Sequence, residues 1–192
     1  GTLAEAGIWI DDSGLISILE IKAKCRRLHA EQGLDLVMLD YLQLAHGNTP
    51  VQRKDLEIAE ISHGLKSLAK ELDIPVIALS QLNRGPEQRD PDKRRPNMGD
   101  LRESRAIEQD ADVIPFIYRD EVYHPTEENH GIAELIVAKQ RNGPTGTLRL
   151  HFEHRYAQFQ DLASAPGAGP PAPGPAPASF AGSDDDDEDM PF

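Results

Sequence analysis

Apolar residues recur along the first half of the chain at the spacing of amphipathic helices. Residues 55–72 predict one such helix, with its apolar positions at Leu56, Ile61, Leu65, Leu68 and Leu72. An earlier helix is expected to begin after Ser17, because Glu20 stands three residues later as in a capping box, and to end near Gly33. Its apolar positions are Ile18, Ile21, Cys25 and Leu28.

Short, nearly continuous apolar runs lie beside these helices and predict strands. Residues 34–39 and 74–79 are typical of parallel strands that are covered on both faces. Residues 8–10 form a shorter run that stops at a polar turn, which predicts another strand. The alternation of strands and helices indicates an α/β fold with a mostly parallel sheet.

The pattern changes in the second half of the chain. Residues 102–110 predict a short helix, and residues 113–118 predict a strand. Pro115 cannot donate to a strand ladder, so that strand requires a bulge or an edge position. Residues 135–139 and 147–152 flank a turn-rich segment and predict a C-terminal antiparallel hairpin.

The predicted elements fall in residues 1–160, a length sufficient for one domain with its own core. Residues 161–192 consist mainly of proline, alanine and glycine and close with an acidic tip. Such a segment has too few large apolar side chains to fold, so we predict a disordered linker.

The net charge of -13 is unevenly distributed. Residues 184–189 contribute six of the negative charges, whereas residues 84–95 are locally basic. Local charge governs contact with nucleic acid more than the total does, although a basic stretch is equally typical of a solvated surface loop. No run is long enough to cross a membrane, and a single cysteine fits a reducing compartment, so we predict a cytoplasmic protein with no membrane contact.

Polar residues follow the two central strands. Asp40 ends the first, where α/β folds bind ligands and where a carboxylate can serve Mg²⁺. Gln81 ends the second, where an amide can contact both a phosphate and water. Each residue taken by itself also fits an ordinary strand end without a catalytic role.

Five segments together resemble bacterial replicative helicases of the DnaB type. In chain order they are LDYLQL (39–44), LSQLNR (79–84), DLRES (100–104), IEQDAD (107–112) and AKQRNGP (138–144). The resemblance covers roughly residues 7–160. It implies a RecA-like P-loop NTPase core, ATP and Mg²⁺ as cofactors, a homo-hexameric ring, 5′-to-3′ movement on single-stranded DNA, and contact with primase and a helicase loader.

The resemblance implies a nucleotide role for four residues. Asp40 matches the aspartate linked to Mg²⁺, and Gln81 matches the glutamine that connects the γ-phosphate to the DNA-facing loops. Lys139 and Arg141 match hairpin residues that reach the neighbouring subunit's ATP, where an arginine finger stabilises the transferring phosphoryl group. Without the resemblance, these two cations would fit a solvated hairpin edge.

The resemblance also implies contacts with DNA. Its DNA-facing residues here would be Arg84, Arg102, Glu103 and Arg105. Such contacts follow the phosphate backbone and do not read sequence. Arg105 stands where the family commonly has glycine, so it would either clash with DNA or add a phosphate contact.

No G-x-x-x-x-G-K-S/T sequence occurs in the chain. The resemblance implies that this phosphate-binding loop and the glutamate that activates water precede Gly1. We therefore expect the chain by itself not to hydrolyse ATP. Two hypotheses stay open: part of a complete helicase, or a truncated and inactive module that binds only DNA or helicase subunits.

The last residues, DDDDEDMPF, resemble the C-terminal tip of bacterial single-stranded-DNA-binding proteins. In that family the tip docks partner enzymes through its terminal phenylalanine, here Phe192, and its acidic run adds electrostatic steering. The alternatives are an acidic tail that only solubilises the protein and one that competes with DNA for the basic segment 84–95.

Overall fold

The computed structural model describes residues 5–47, 54–83, 89–90, 93–101 and 105–162, so all but the first two residues of the predicted linker lie outside it. Its helices are α1 (Ile18–Gln32), α2 (Lys54–Leu72) and α3 (Arg105–Asp110). Its strands are β1 (Ile16–Ser17), β2 (Val37–Leu39), β3 (Ala45–His46), β4 (Val76–Ala78), β5 (Val113–Tyr118), β6 (Ile132–Gln140), β7 (Gly146–Glu153) and β8 (Gln158–Asp161). Three 3-10 turns cover Leu42–Leu44, Met98–Leu101 and Asp120–Val122.

Both ends of α1 are built as the sequence predicts. The Ser17 hydroxyl accepts the Glu20 N–H at 3.2 Å, and the Glu20 carboxylate accepts the Ser17 N–H at 2.9 Å. These two bonds satisfy donors that the first helical turn leaves unpaired. Gly33 ends the helix with a φ of 77°, a conformation that glycine adopts without steric cost.

The buried face of α2 differs from the prediction at one position. Ile58, Ile61, Leu65 and Leu68 are buried, whereas Leu56 is 50% exposed. Leu56 lies five residues before Ile61, which places it about 140° away around the helix. Ile58, three residues before Ile61, occupies the inner face in its place.

Two pairs of short parallel strands form the first half of the fold. β1 pairs with β3, and β2 pairs with β4 in the register Val37–Val76 to Leu39–Ala78. The two predicted runs therefore form strands, but only over residues 37–39 and 76–78. The expectation that both of their faces are covered is wrong, because Met38 and Ile77 are exposed. The prediction of a strand at residues 8–10 is wrong, because this exposed segment has no ladder partner among the described residues.

The second half is an antiparallel sheet in the order β5-β6-β7-β8. β5 is an edge strand whose register shifts between Ile114 and Pro115, so both expectations for this proline are met. The predicted hairpin is β6–β7. The short strand β8 was not predicted from the sequence; it pairs with β7 after a turn in which Ala157 has a φ of 49°.

Two apolar cores hold these parts together. The first lies between α1, α2 and the parallel strands, and the second lies beneath β5 and β6. Ile107 of α3 packs against both cores and so links them. The result confirms a mixed α/β fold with parallel strands and a C-terminal antiparallel sheet. No helix within the described ranges is long and apolar enough to span a membrane.

Candidate functional site

Asp40 and Gln81 follow neighbouring parallel strands and emerge at the same edge. Backbone bonds continue beyond the strands: the Leu79 N–H donates to the Leu39 carbonyl at 2.9 Å, and the Leu42 N–H donates to the Leu79 carbonyl at 2.9 Å. Both predicted site residues are exposed. This edge is where α/β folds bind their ligands.

The donor set at this edge fits a hydrated Mg²⁺. The Asp40 carboxylate makes no hydrogen bond or ion pair with the described part of the chain, so its oxygens are available to a hard cation or to the water around it. These residues suit the Mg²⁺ ion but do not provide a binding loop for the nucleotide phosphates, because the 192 residues contain no G-x-x-x-x-G-K-S/T sequence.

Gln43 fixes the segment that carries Gln81. Its side-chain nitrogen donates to the Ser80 hydroxyl at 3.3 Å and to the Gln81 carbonyl at 3.2 Å, and its oxygen accepts the Gln81 N–H at 3.4 Å. An amide side chain can do this because it is both donor and acceptor. Gln43 lies within the LDYLQL motif, but its role was not predicted from the sequence. The only available signal was an amide near a strand end.

The side chains of Lys139, in β6, and Arg141, just after β6, contact the C-terminal end of α3. The Lys139 ammonium donates to the carbonyls of Glu108 and, at 2.8 Å, of Ala111. The Arg141 guanidinium donates to the Gln109 carbonyl at 3.0 Å. Cations are favourable there because a helix end presents unpaired carbonyls. Within one chain, the two predicted finger residues therefore contact their own α3.

Asp112 connects these cations to α2. Its carboxylate forms ion pairs with Lys66 and, at 3.2 Å, with Arg141. The hydrogen bond from Lys66 holds the pKa of Asp112 below its ordinary value, and the charges of Arg141 and Lys139 act in the same direction. Asp110 is bound to α2 as well, through Ser62 at 2.7 Å and His63. The C-terminal end of α3 is thus bonded both to α2 and to the residues at the end of β6.

Arg105, the first residue of α3, is exposed. It shares an open pocket of about 480 Å³ with Lys139, so one residue predicted for DNA and one predicted for nucleotide line the same cavity. The remaining lining residues are Met98, Glu108, Gln109 and Ala138. The other predicted DNA residues, Arg84, Arg102 and Glu103, lie outside the described residues, as does Phe192.

The described part of the basic segment is engaged in the fold. Arg89 pairs with Asp100, whose side chain is 2% exposed. Arg95 pairs with Glu134, and Arg94 lies 5.0 Å from the centre of the Tyr123 ring. Local positive charge in the sequence therefore does not correspond to a set of free cations here.

Comparison with known proteins adds a family match. The DnaB-like helicase C-terminal domain matches residues 1–161. The chain is 52% identical over 163 residues to the replicative DNA helicase DnaB of Geobacillus stearothermophilus and to the replicative DNA helicase DnaC of Bacillus subtilis. Each alignment covers 84% of this chain but 36% of the relative. The chain thus spans about a third of these relatives' length.

Solved structures agree with the fold. A solved ATPase domain superposes with a TM-score of 0.78 at 42% identity, covering 83% of this chain and 56% of that one. A DnaB-like replicative helicase, solved in a study of its interactions with primase, superposes with a TM-score of 0.77 at 42% identity. That match covers 82% of this chain and 39% of the other. These neighbours confirm the RecA-like fold class.

Proposed function

The chain belongs to the DnaB-like helicase C-terminal domain family, and on that premise we propose that it forms part of the ATPase motor of a replicative DNA helicase. This motor would use ATP hydrolysis to move 5′-to-3′ on single-stranded DNA and unwind the duplex at the replication fork. The observation that carries the proposal is the joint exposure of Asp40 and Gln81 at one edge of two paired parallel strands.

In this motor, Asp40 would hold Mg²⁺, which would neutralise charge on the nucleotide phosphates. Gln81 would contact the γ-phosphate region from the neighbouring strand end. Gln43 would keep Gln81 in place through its backbone. Lys139 and Arg141 would exchange their contacts with α3 for the ATP of an adjacent subunit in a homo-hexameric ring. Primase and a helicase loader are the further partners that this role entails.

A narrower role is the alternative for the 192 residues on their own. They contain no phosphate-binding loop of the G-x-x-x-x-G-K-S/T type, which favours a module that contacts DNA or helicase subunits without turnover. Measuring ATP hydrolysis and single-stranded DNA binding by the same purified chain separates the two roles. Binding without hydrolysis supports the narrower role for this chain.

The proposed function is tested in a chimaera. Residues 1–161 replace the matched segment of the Geobacillus stearothermophilus DnaB, and DNA-stimulated ATP hydrolysis and duplex unwinding are measured. We expect the chimaera to be active and Asp40→Ala to abolish hydrolysis. Asp35→Ala, which removes another exposed aspartate just before β2, is the matched control and should retain activity. A ring-forming Asp40→Ala chimaera with undiminished hydrolysis contradicts the proposal.

A further inference from the structure

Three side chains with metal-binding atoms converge at one end of the antiparallel sheet. Glu121 lies in the turn Asp120–Val122, His130 lies just before β6, and His154 follows β7. One ligand atom from each residue lies within 4.8 Å of the other two. The three residues come from two connections that are distant in sequence, so the fold itself brings them together.

The separations suit a small tetrahedral metal. The His154 Nε2 lies 3.1 Å from one Glu121 oxygen, and the His130 Nδ1 lies 3.5 Å from the other. Ligand atoms about 2.0–2.1 Å from a tetrahedral Zn²⁺ stand roughly 3.3–3.4 Å from one another. The two imidazole rings are nearly parallel, with an interplanar angle of 12°. Only small side-chain movements are needed to surround an ion.

The carboxylate is fixed in advance, and the histidines face solvent. The Glu121 side chain is 7% exposed and accepts the Gly131 N–H at 2.8 Å. Hydrogen bonds of this kind orient a ligating carboxylate. The side chains of His130 and His154 are 79% and 45% exposed. An ion therefore has a solvent path to a site with one preorganised ligand.

We propose that Glu121, His130 and His154 form a Zn²⁺ site, with water as the fourth ligand. Two imidazoles and one carboxylate suit Zn²⁺, whereas Mg²⁺ and Ca²⁺ prefer oxygen ligands only. The bound ion ties the turn after β5 to the turn after β7, so it stabilises this end of the sheet. The site is separate from Asp40 and does not depend on the proposed helicase function.

Arg119 competes with the metal for two of the ligands. Its guanidinium donates to Glu121 at 2.9 Å and lies 3.3 Å from the His154 Nδ1. When the Nε2 of His154 binds Zn²⁺, its Nδ1 carries a proton and cannot accept from Arg119. Arg119 must then release His154, while its position 4.1 Å from the centre of the Phe152 ring keeps it nearby. Removing Arg119 is therefore expected to tighten metal binding.

The test uses the untagged 192-residue chain and Co²⁺ as a spectroscopic probe for the zinc site. Excess Mg²⁺ is present throughout, because it occupies sites made of carboxylates alone, such as residues 184–189. We expect visible absorption bands of tetrahedral Co²⁺ that disappear when Zn²⁺ is added. His130→Ala and His154→Ala should each weaken Co²⁺ binding by more than about tenfold, the lower range for loss of an outer-shell partner, and Arg119→Gln should strengthen it.

His63→Ala is the matched control, because it removes an exposed histidine that pairs with Asp110 in another part of the fold. It should leave the Co²⁺ bands unchanged. Zn²⁺ should raise the melting temperature of the wild type and of His63→Ala but not that of His154→Ala. His130 is so exposed that its replacement leaves the fold intact, as circular dichroism without metal will verify. Equal Co²⁺ binding by the wild type and His130→Ala, or the absence of tetrahedral Co²⁺ bands from the wild type in excess Mg²⁺, overturns the proposal.

Discussion

The Gln43 side chain holds the Gln81 backbone through both of its hydrogen-bonding groups. The Gln43 nitrogen lies 3.2 Å from the Gln81 carbonyl oxygen, and the Gln43 oxygen lies 3.4 Å from the Gln81 nitrogen. The two residues are far apart in the sequence and belong to segments that follow different strands. Gln81 itself is exposed, so these two bonds restrain its backbone at the strand edge.

Gln43→Leu is expected to destabilise the chain by about 1–2 kcal/mol, since it removes two bonds to the Gln81 backbone at roughly 0.5–1.5 kcal/mol each. Urea unfolding followed by circular dichroism measures the loss. Gln32→Leu at the exposed end of α1 is the control and should change the free energy of unfolding by less than about 0.5 kcal/mol. Equal effects of the two substitutions would show that the clamp has no energetic role.

The sequence predicted best where one local rule determined the structure. The Ser17–Glu20 capping box and the demand of Pro115 for an edge or a bulge involve only neighbouring residues or one missing donor. The positions of Asp40 and Gln81 at neighbouring strand ends were likewise predictable, because Asp40 directly follows one apolar run and Gln81 is the second residue after the other.

Pairing between distant segments could not be predicted from the sequence. β8 has only four residues and exists because β7 offers it a ladder partner. Residues 8–10 show the reverse, since their apolar run finds no partner among the described strands. The contacts of Lys139 with α3 and the convergence of His130 with His154 depend on tertiary packing, which no sequence spacing encodes.

Arg89→Ala is expected to destabilise the chain by about 3 kcal/mol. It removes the guanidinium that pairs with the nearly buried Asp100 and so leaves a buried carboxylate without its cation. Thermal and urea unfolding measure the effect. Lys93→Ala, in the same basic segment but in a solvent-exposed pair with Asp90 at 3.8 Å, should change stability by less than about 1 kcal/mol. A larger effect of Lys93→Ala would contradict this assignment of a structural role to Arg89.

Arg102→Ala and Arg105→Ala should each weaken binding of single-stranded DNA uniformly across sequences. For each lost phosphate contact, the slope of log affinity against log salt should fall in magnitude by about 0.7. Fluorescence anisotropy with labelled oligonucleotides at several salt concentrations measures this slope.

Arg155→Ala, at the exposed turn before β8, is the control for these two substitutions and should keep the wild-type slope. If Arg102→Ala keeps that slope too, Arg102 makes no phosphate contact. If only Arg105→Ala keeps the wild-type slope, Arg105 makes no phosphate contact.

Arg141→Ala in the chimaera should reduce ATP hydrolysis by roughly 10³-fold or more while leaving ATP binding nearly unchanged, because a finger acts on charge that develops in the transition state. Within its own chain the guanidinium is half exposed, and its ion pair with Asp112 is solvated. Such a pair is weak, so release of Arg141 toward a neighbouring subunit costs little. Steady-state hydrolysis and binding of a fluorescent nucleotide separate the two effects.

Mixed rings determine which subunit's ATP Arg141 serves. Rings that combine Arg141→Ala subunits with Asp40→Ala subunits keep an active interface only where Arg141 of one subunit meets Asp40 of the next. A finger that acts in trans therefore predicts that mixing restores some hydrolysis to two inactive parents. Arg149→Ala, which removes an exposed arginine from β7, is the control and should be active by itself. If mixing Arg141→Ala with wild-type subunits disables only the site of the mutated subunit, Arg141 acts within its own chain and the trans assignment is wrong.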